Sequence, residues 1–148
     1  ASARMIISFE EHHYESLVDI WYRAALATHH FVARSDLEFF REIVQNGALR
    51  ELELWIECED AAKPRGFIGL FDTKIEALFI APEFHGQGIG RSLVQHAKQL
   101  KGPKLQVDVN EQNTGARAFY RRLGFEQVGR SALDPTSRPY PILHLARG

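Results

Sequence analysis

The sequence predicts a mixed α/β (α+β) domain, a largely antiparallel central sheet flanked by helices, and three observations predict it. Apolar residues recur with a helical period up to about residue 45 and with a strand period from about residue 51. Three strand-like segments then follow one another with no helix between them, as in an antiparallel meander. Helices and strands alternate afterwards, within a chain of 148 residues that is long enough for one core and too short for two.

The elements follow in order. Ile6, Ile7 and Phe9 make a short opening strand. Over 11–27, Leu17, Ile20, Trp21 and Ala24 fall at i, i+3, i+4 and i+7 of a first helix. Ser35 with Glu38 three residues on reads as a capping box, with Phe39, Phe40, Ile43 and Val44 as the inner stripe of a second helix that Gly47 stops. Leu52, Leu54 and Ile56 then alternate with Glu51, Glu53, Trp55 and Glu57 as a half-buried strand. A polar turn at 59–65 leads to a strand at 66–71, and Asp72-Thr73 turns the chain into another at 75–80. A glycine-rich turn opens a helix striped by Leu93, Val94, Ala97 and Leu100, which Gly102-Pro103 ends. Leu105, Val107 and Val109 alternate as a strand. A helix over 113–123 puts Ala116, Phe119, Tyr120 and Leu123 on one face. Strands at 125–131 and 142–145 close the order βααβββ, then αβαββ. No linker or repeat divides 5–148, which reads as a single domain. Ala1 to Arg4 precede the only methionine, Met5, and are set aside as a cloning remnant.

Composition removes several function classes. A net charge of −1 offers no bulk attraction to nucleic acid or an anionic membrane. The longest apolar run is too short to span a bilayer. Cys58 is the only cysteine, so an internal disulfide and a cysteine-rich zinc site are excluded, and a reducing, cytoplasmic setting is expected. His12, His13, His29 and His30 lack the spacing that a helical metal site needs, so no metal is expected.

The most informative stretch runs from Leu78-Phe79-Ile80 through Ala81-Pro82-Glu83-Phe84 to His85-Gly86-Gln87-Gly88-Ile89-Gly90-Arg91. Glycines at every second position let the backbone turn tightly and present bare N–H groups, and the following helix adds the positive end of its dipole. Together these make a site for phosphate or pyrophosphate. A P-loop is disfavoured, because no lysine lies in the turn. A dinucleotide fingerprint fits Gly86, Gly88 and the acid Asp108, but Arg91 fills the position where close helix packing needs glycine. The meander ahead of the turn also lacks the opening βαβ of that fold.

With these residues in place, the sequence resembles the GNAT acetyltransferase superfamily, whose acetyl-CoA motif is Arg/Gln-x-x-Gly-x-Gly/Ala. His85 to Gly90 match at both glycines and depart at His85. Asn113-Thr114-Gly115-Ala116, Phe119-Tyr120 and Gly124-Phe125 resemble the family's second motif, so the likeness is strong over 75–125 and rests elsewhere on element order. Shorter segments, such as Thr28-His29-x-Phe31 and Pro139-Tyr140-Pro141, are similar to a small bacterial branch of the family.

The resemblance implies an N-acetyltransferase moving the acetyl group of acetyl-CoA to an amine by direct attack, with a homodimer common among relatives. A silent acyl-CoA sensor is the alternative, which Tyr120 in its motif disfavours. The resemblance implies that backbone N–H groups of Leu78, Phe79 and Ile80 meet the acetyl carbonyl, while His85, Gly86, Gln87, Gly88, Ile89, Gly90 and Arg91 cradle the pyrophosphate. Asn113 caps the last long helix and, by the same likeness, meets the pantetheine arm. Tyr120 is the expected acid for the departing thiolate, since a phenol stays protonated at neutral pH. Its plainer reading is a core aromatic, and the two are compatible. An alkylammonium must lose a proton before it attacks, and Glu76 and Asp108, on neighbouring strands, are the candidate bases through water. His29 and His30, between the first two helices, border the expected acceptor pocket.

Overall fold

The structure, a computed structural model, describes residues 4–60 and 63–148. Seven strands form one sheet: β1 (Arg4–Ser8), β2 (Glu53–Glu59), β3 (Gly66–Phe71), β4 (Lys74–Ile80), β5 (Leu105–Asn110), β6 (Glu126–Ser131) and β7 (Ile142–Arg147). Their spatial order is β1-β2-β3-β4-β5-β7-β6. Every neighbouring pair is antiparallel except β4 and β5. The helices are α1 (Tyr14–Thr28), α2 (Arg34–Gln45), α3 (Ile89–Lys101) and α4 (Thr114–Arg122). The mixed, largely antiparallel architecture and the element order are those the sequence predicts.

Strand alternation sends side chains to two cores. Leu17 and Ile20 of α1 pack with Val44 of α2 on Leu54, Ile56, Phe67 and Ala77. Leu93, Val94 and Ala97 of α3 and Tyr120 of α4 pack on the other face, against Ile68, Ile75, Val107 and Leu145. At about 0.8 kcal/mol per buried methylene, these two contacts supply the bulk of the folding drive. A bulge fixes the sheet's geometry near its centre. Gly69 pairs with Ala77 but Leu70 pairs with Ile75, so Glu76 is the extra residue of β4.

Four local readings change. Residues 1–3 lie outside the described residues, but Arg4 opens β1 opposite Glu59 and donates to the Gln87 carbonyl at 2.6 Å, so it belongs to the fold. Residues 61–62 of the predicted polar turn also lie outside the described residues. The capping box at Ser35 and Glu38 does not form, because α2 starts two residues earlier, with Ala33 as its N-cap and no side-chain cap. A tertiary contact replaces it: the Tyr140 hydroxyl accepts the Ala33 N–H at 3.0 Å and donates to Asp36. The inner stripe of α2 is Leu37 and Val44, whereas Phe39 and Ile43 are exposed, as is Leu100 of α3. Phe39 instead lies beneath the Arg138 guanidinium, 3.8 Å from the ring centroid.

Candidate active site

The site begins where β4 and β5 part. Their parallel pairing covers only Lys74 with Gln106 and Ile75 with Val107. Beyond it, β4 stays on β3 as far as Ile80 and β5 stays on β7 as far as Asn110, so a wedge opens between them. The Ala81 N–H goes to the Arg65 carbonyl ahead of β3. Strand alternation sends the Phe79 N–H to the same side and turns those of Leu78 and Ile80 into the wedge. These are backbone donors with no strand to pair with. His85 closes one end, its Nε2 lying 3.0 Å from the Ile80 carbonyl oxygen.

Past a single 3₁₀ turn, Pro82–Phe84, the chain reaches the glycine turn. Gly86 and Gly88 hold φ of +79° and +78°, a region where a Cβ is strained, and Gly88 caps α3. Gly90 serves a different end. It lies in the first turn of α3, and a Cβ there would come 3.2 Å from the Phe119 ring, so its absence lets α4 approach. Ile89 is buried in the core, Arg91 is exposed on the first turn of α3, and Gln87 holds Arg4 through its carbonyl. The turn brings bare glycine backbone to the N-terminal end of α3, where the helix dipole is positive, which fits a pyrophosphate.

Three cavities meet at this seam. The first, about 320 Å³, runs along Leu78, Phe79 and Ile80 to His85, Gly90, Asn113 and Tyr120. The second, about 210 Å³, is the wedge itself, with Glu76, Asp108, Asn110, Asn113 and Tyr120 in its wall. The third, about 310 Å³, lies under α1 and α2 and is mostly apolar, with Trp21, Phe40, Ile43, Phe79, Tyr140 and Ile142 in its wall. Phe79 and His29 border all three. His30 is exposed and lines none of them.

Tyr120 stands at the join of the first two. Its ring packs edge-on against Phe119 and Phe125, and the residue is 5% exposed. Among the described residues no hydrogen bond engages its hydroxyl, and burial pushes the phenol's pKa up, so the proton is firmly held at neutral pH. Asn113 caps α4 as the sequence predicts, its Oδ1 accepting the Ala116 N–H at 3.1 Å. Burial, then the neighbouring His30, pushes His29 down, which keeps that imidazole neutral.

The family model of the acetyltransferase (GNAT) domain matches residues 27–127. The chain belongs to the GNAT acetyltransferase family. The peptidyl-lysine N-acetyltransferase YjaB of Salmonella typhimurium is 44% identical over 131 residues, covering 88% of this chain and 89% of that protein. Escherichia coli YjaB is 39% identical over 145 residues, covering 96% and 97%. The solution structure of apo YjaB from E. coli has a TM-score of 0.90 at 38% identity, over 97% of each chain. The PaiA N-acetyltransferase of Thermoplasma acidophilum, solved with coenzyme A, shares the fold at a TM-score of 0.80 and 18% identity, over 98% of each chain. The small bacterial branch suggested by the shorter segments is thus the YjaB type.

As a GNAT N-acetyltransferase, this chain is an acyltransferase that takes its acetyl group from acetyl-CoA, and the glycine turn, wedge and first cavity suit such a donor. The two carboxylates differ in setting. Glu76 is 3.3 Å from Lys74 Nζ and otherwise open. Asp108 takes Lys74 Nζ at 2.8 Å on one oxygen and His144 Nδ1 at 2.7 Å on the other. Burial raises the Asp108 pKa, but the hydrogen bonds from Lys74 and His144 outweigh it and hold the group below the usual carboxylate range. The sequence reading named neither Lys74 nor His144, because only sheet pairing brings them to Asp108. No helix of the described residues is long and apolar enough to cross a membrane.

Proposed function

We propose that the acceptor is the side-chain amine of a lysine in a peptide or protein, and that Tyr120 protonates the departing coenzyme A thiolate. The observation that carries this reading is the unengaged Tyr120 phenol at the join of the donor cavity and the wedge. The relatives at 44% and 39% identity are named for peptidyl-lysine acetylation, and the mostly apolar third cavity suits the methylene stem of lysine. A cytoplasmic setting, where acetyl-CoA is at hand, accords with a single buried cysteine.

The turn from Gly86 to Gly90 holds the pyrophosphate, with His85 and Arg91 at its rims, and Asn113 borders the pantetheine arm. The N–H groups of Leu78 and Ile80 meet the acetyl oxygen as it gains charge. Preorganised donors of this kind contribute about 3 kcal/mol each in a dry site. The amine nitrogen attacks the thioester carbon, the C–N bond forms and the C–S bond breaks; sulfur takes the Tyr120 proton, and the surplus N–H proton of the new amide leaves through water and restores the phenol. A thiol is ordinarily more acidic than a phenol, but the burial that raises Tyr120 also raises the proton affinity of a thiolate beside it. Glu76 and Asp108 attract the incoming ammonium. Asp108, already satisfied by two donors, acts as a fixed anion rather than the final proton acceptor. His29 borders the acceptor's path and His30 stays outside it.

The test is coenzyme A release with an N-acetylated lysine peptide, comparing the parent with Tyr120→Phe. The variant is expected to lose turnover on the order of 100-fold with KM for acetyl-CoA unchanged. Parent-like turnover in Tyr120→Phe sinks the acid assignment. Turnover of other amines but of no lysine peptide sinks the acceptor assignment.

A further inference from the structure

On the sheet face beside the wedge, a chain of side chains crosses four strands. The Ser131 hydroxyl of β6 lies 2.7 Å from His144 Nε2 on β7, and His144 Nδ1 lies 2.7 Å from Asp108 Oδ1 on β5. Lys74 Nζ completes it on Asp108 Oδ2. The backbone makes room for this arrangement. Gly129 sits directly opposite His144 beside a break in the β6 register, and a Cβ there would come 3.3 Å from the imidazole Cδ2. Ser131 in turn pairs with Ile142, a wall residue of the acceptor-side cavity.

Chemistry fixes the protons. A carboxylate only accepts, so Nδ1 carries the hydrogen facing Asp108, and Nε2 keeps a lone pair that receives the Ser131 O–H. An imidazole so held has one basic site left and an anion behind it to stabilise the cation that protonation creates. We propose that His144 is the proton-relay residue of the transfer, taking the acceptor ammonium's proton on Nε2 through water and the Ser131 hydroxyl. The ammonium N–H breaks to water as water passes a proton to Ser131 Oγ. Ser131 gives its own to Nε2, and the free amine attacks the thioester. The imidazolium later returns that proton to solvent.

Ser131 is not itself the nucleophile. It stands two strand spacings from β5, about 10 Å of sheet, which a short water chain crosses and a covalent attack on the thioester does not. The other charged or titratable groups toward this ring are Lys74 and Glu76 of β4, Asp108 of β5, and Glu126, which pairs with Ala146 two residues along β7. His29 faces Asp108 across the wedge.

The inference rests on an amine acceptor, so its test has one arm that needs none. Long-range proton–nitrogen correlation spectra, assigned with His144→Gln, should show His144 with hydrogen on Nδ1 when neutral. Asp108→Asn, which can offer the ring an amide N–H as well as an oxygen, should lower the share of the Nδ1–H tautomer. In the other arm, with the N-acetylated lysine peptide, His144→Gln should lose on the order of 100-fold in kcat at neutral pH, with KM for acetyl-CoA unchanged. It should also lose the limb of the pH profile between pH 5 and 8, and added imidazole should restore part of the rate. Hydrogen on Nε2 in the neutral ring, or a parent-like pH profile in His144→Gln, overturns the proposal. If that variant does not fold, or the peptide is not a substrate, the parent tautomer and its change in Asp108→Asn decide the matter alone.

Discussion

Gly88→Ala isolates the contribution of the glycine turn to donor binding. Gly88 holds φ of +78°, and among the described residues the only atom within 4 Å of a built Cβ is Arg4 Nη1 at 3.7 Å, so the alanine meets no wall there. The penalty is therefore one of backbone conformation, about 1–2 kcal/mol. In a domain of 148 residues that lowers Tm by about 3–6 °C. If the turn relieves its strain by leaving the left-handed region, its N–H groups no longer converge on the pyrophosphate. Losing one hydrogen bond to a charged group costs about 1.5–3 kcal/mol, or 10- to 100-fold in Kd.

The assay is the melting shift produced by acetyl-CoA. At a concentration 100 times the parent Kd, binding adds about 2.7 kcal/mol of stability; a 10- to 100-fold weaker Kd cuts this to about 1.4 or 0.4 kcal/mol. Gly102→Ala is the control. Its φ of +92° with ψ of −179° lies in a region essentially confined to glycine, so its strain is no smaller than that at Gly88; among the described residues nothing lies within 4 Å of its built Cβ, and it sits at the far end of α3. It should melt lower and keep the full acetyl-CoA shift. A full shift in Gly88→Ala, or a lost one in Gly102→Ala, refutes the idea that the bare backbone of this turn holds the donor.

Two further outcomes follow from buried and paired carboxylates. Glu57 is fully buried and receives Arg65 Nε at 2.9 Å and Nη2 at 2.6 Å, so Glu57→Ala leaves that guanidinium with Glu59 as its remaining carboxylate and should cost about 3 kcal/mol in urea denaturation. Asp108 has its folded pKa held below the unfolded value, so its contribution to stability is complete above about pH 4. That contribution is lost as pH falls through the folded value. Asp108→Asn should therefore flatten the decline of Tm on acidification, read by melting between pH 5 and 2.5.

The half of the site proposed to hold the donor can be assembled from the sequence because it is contiguous in the chain. β4, the glycine turn and α3 follow without interruption, and α4 announces itself by the Asn113 cap and the aromatic pair Phe119-Tyr120. Their chemistry is mostly main-chain chemistry, which glycines and caps encode locally. The acceptor half has no such local code. Its cavity joins Trp21 of α1, Phe40 of α2 and Tyr140 of the loop after β6, segments more than one hundred residues apart in places. The failed capping box shows the same physics on a smaller scale. Ser35 and Glu38 have the right spacing, but Asp36, held by Tyr140 and Arg138 from across the fold, sets where α2 begins. The Ser131–His144–Asp108 chain is tertiary too, since each member comes from a different strand and sheet register alone aligns them. The proposed donor recognition is thus tied to local backbone geometry that any sequence of this pattern reproduces. The acceptor wall depends on contacts that a few substitutions in distant segments can redraw. A change of acceptor along this family should therefore appear first in α2 and in the loop between β6 and β7, with the glycine turn left as it is.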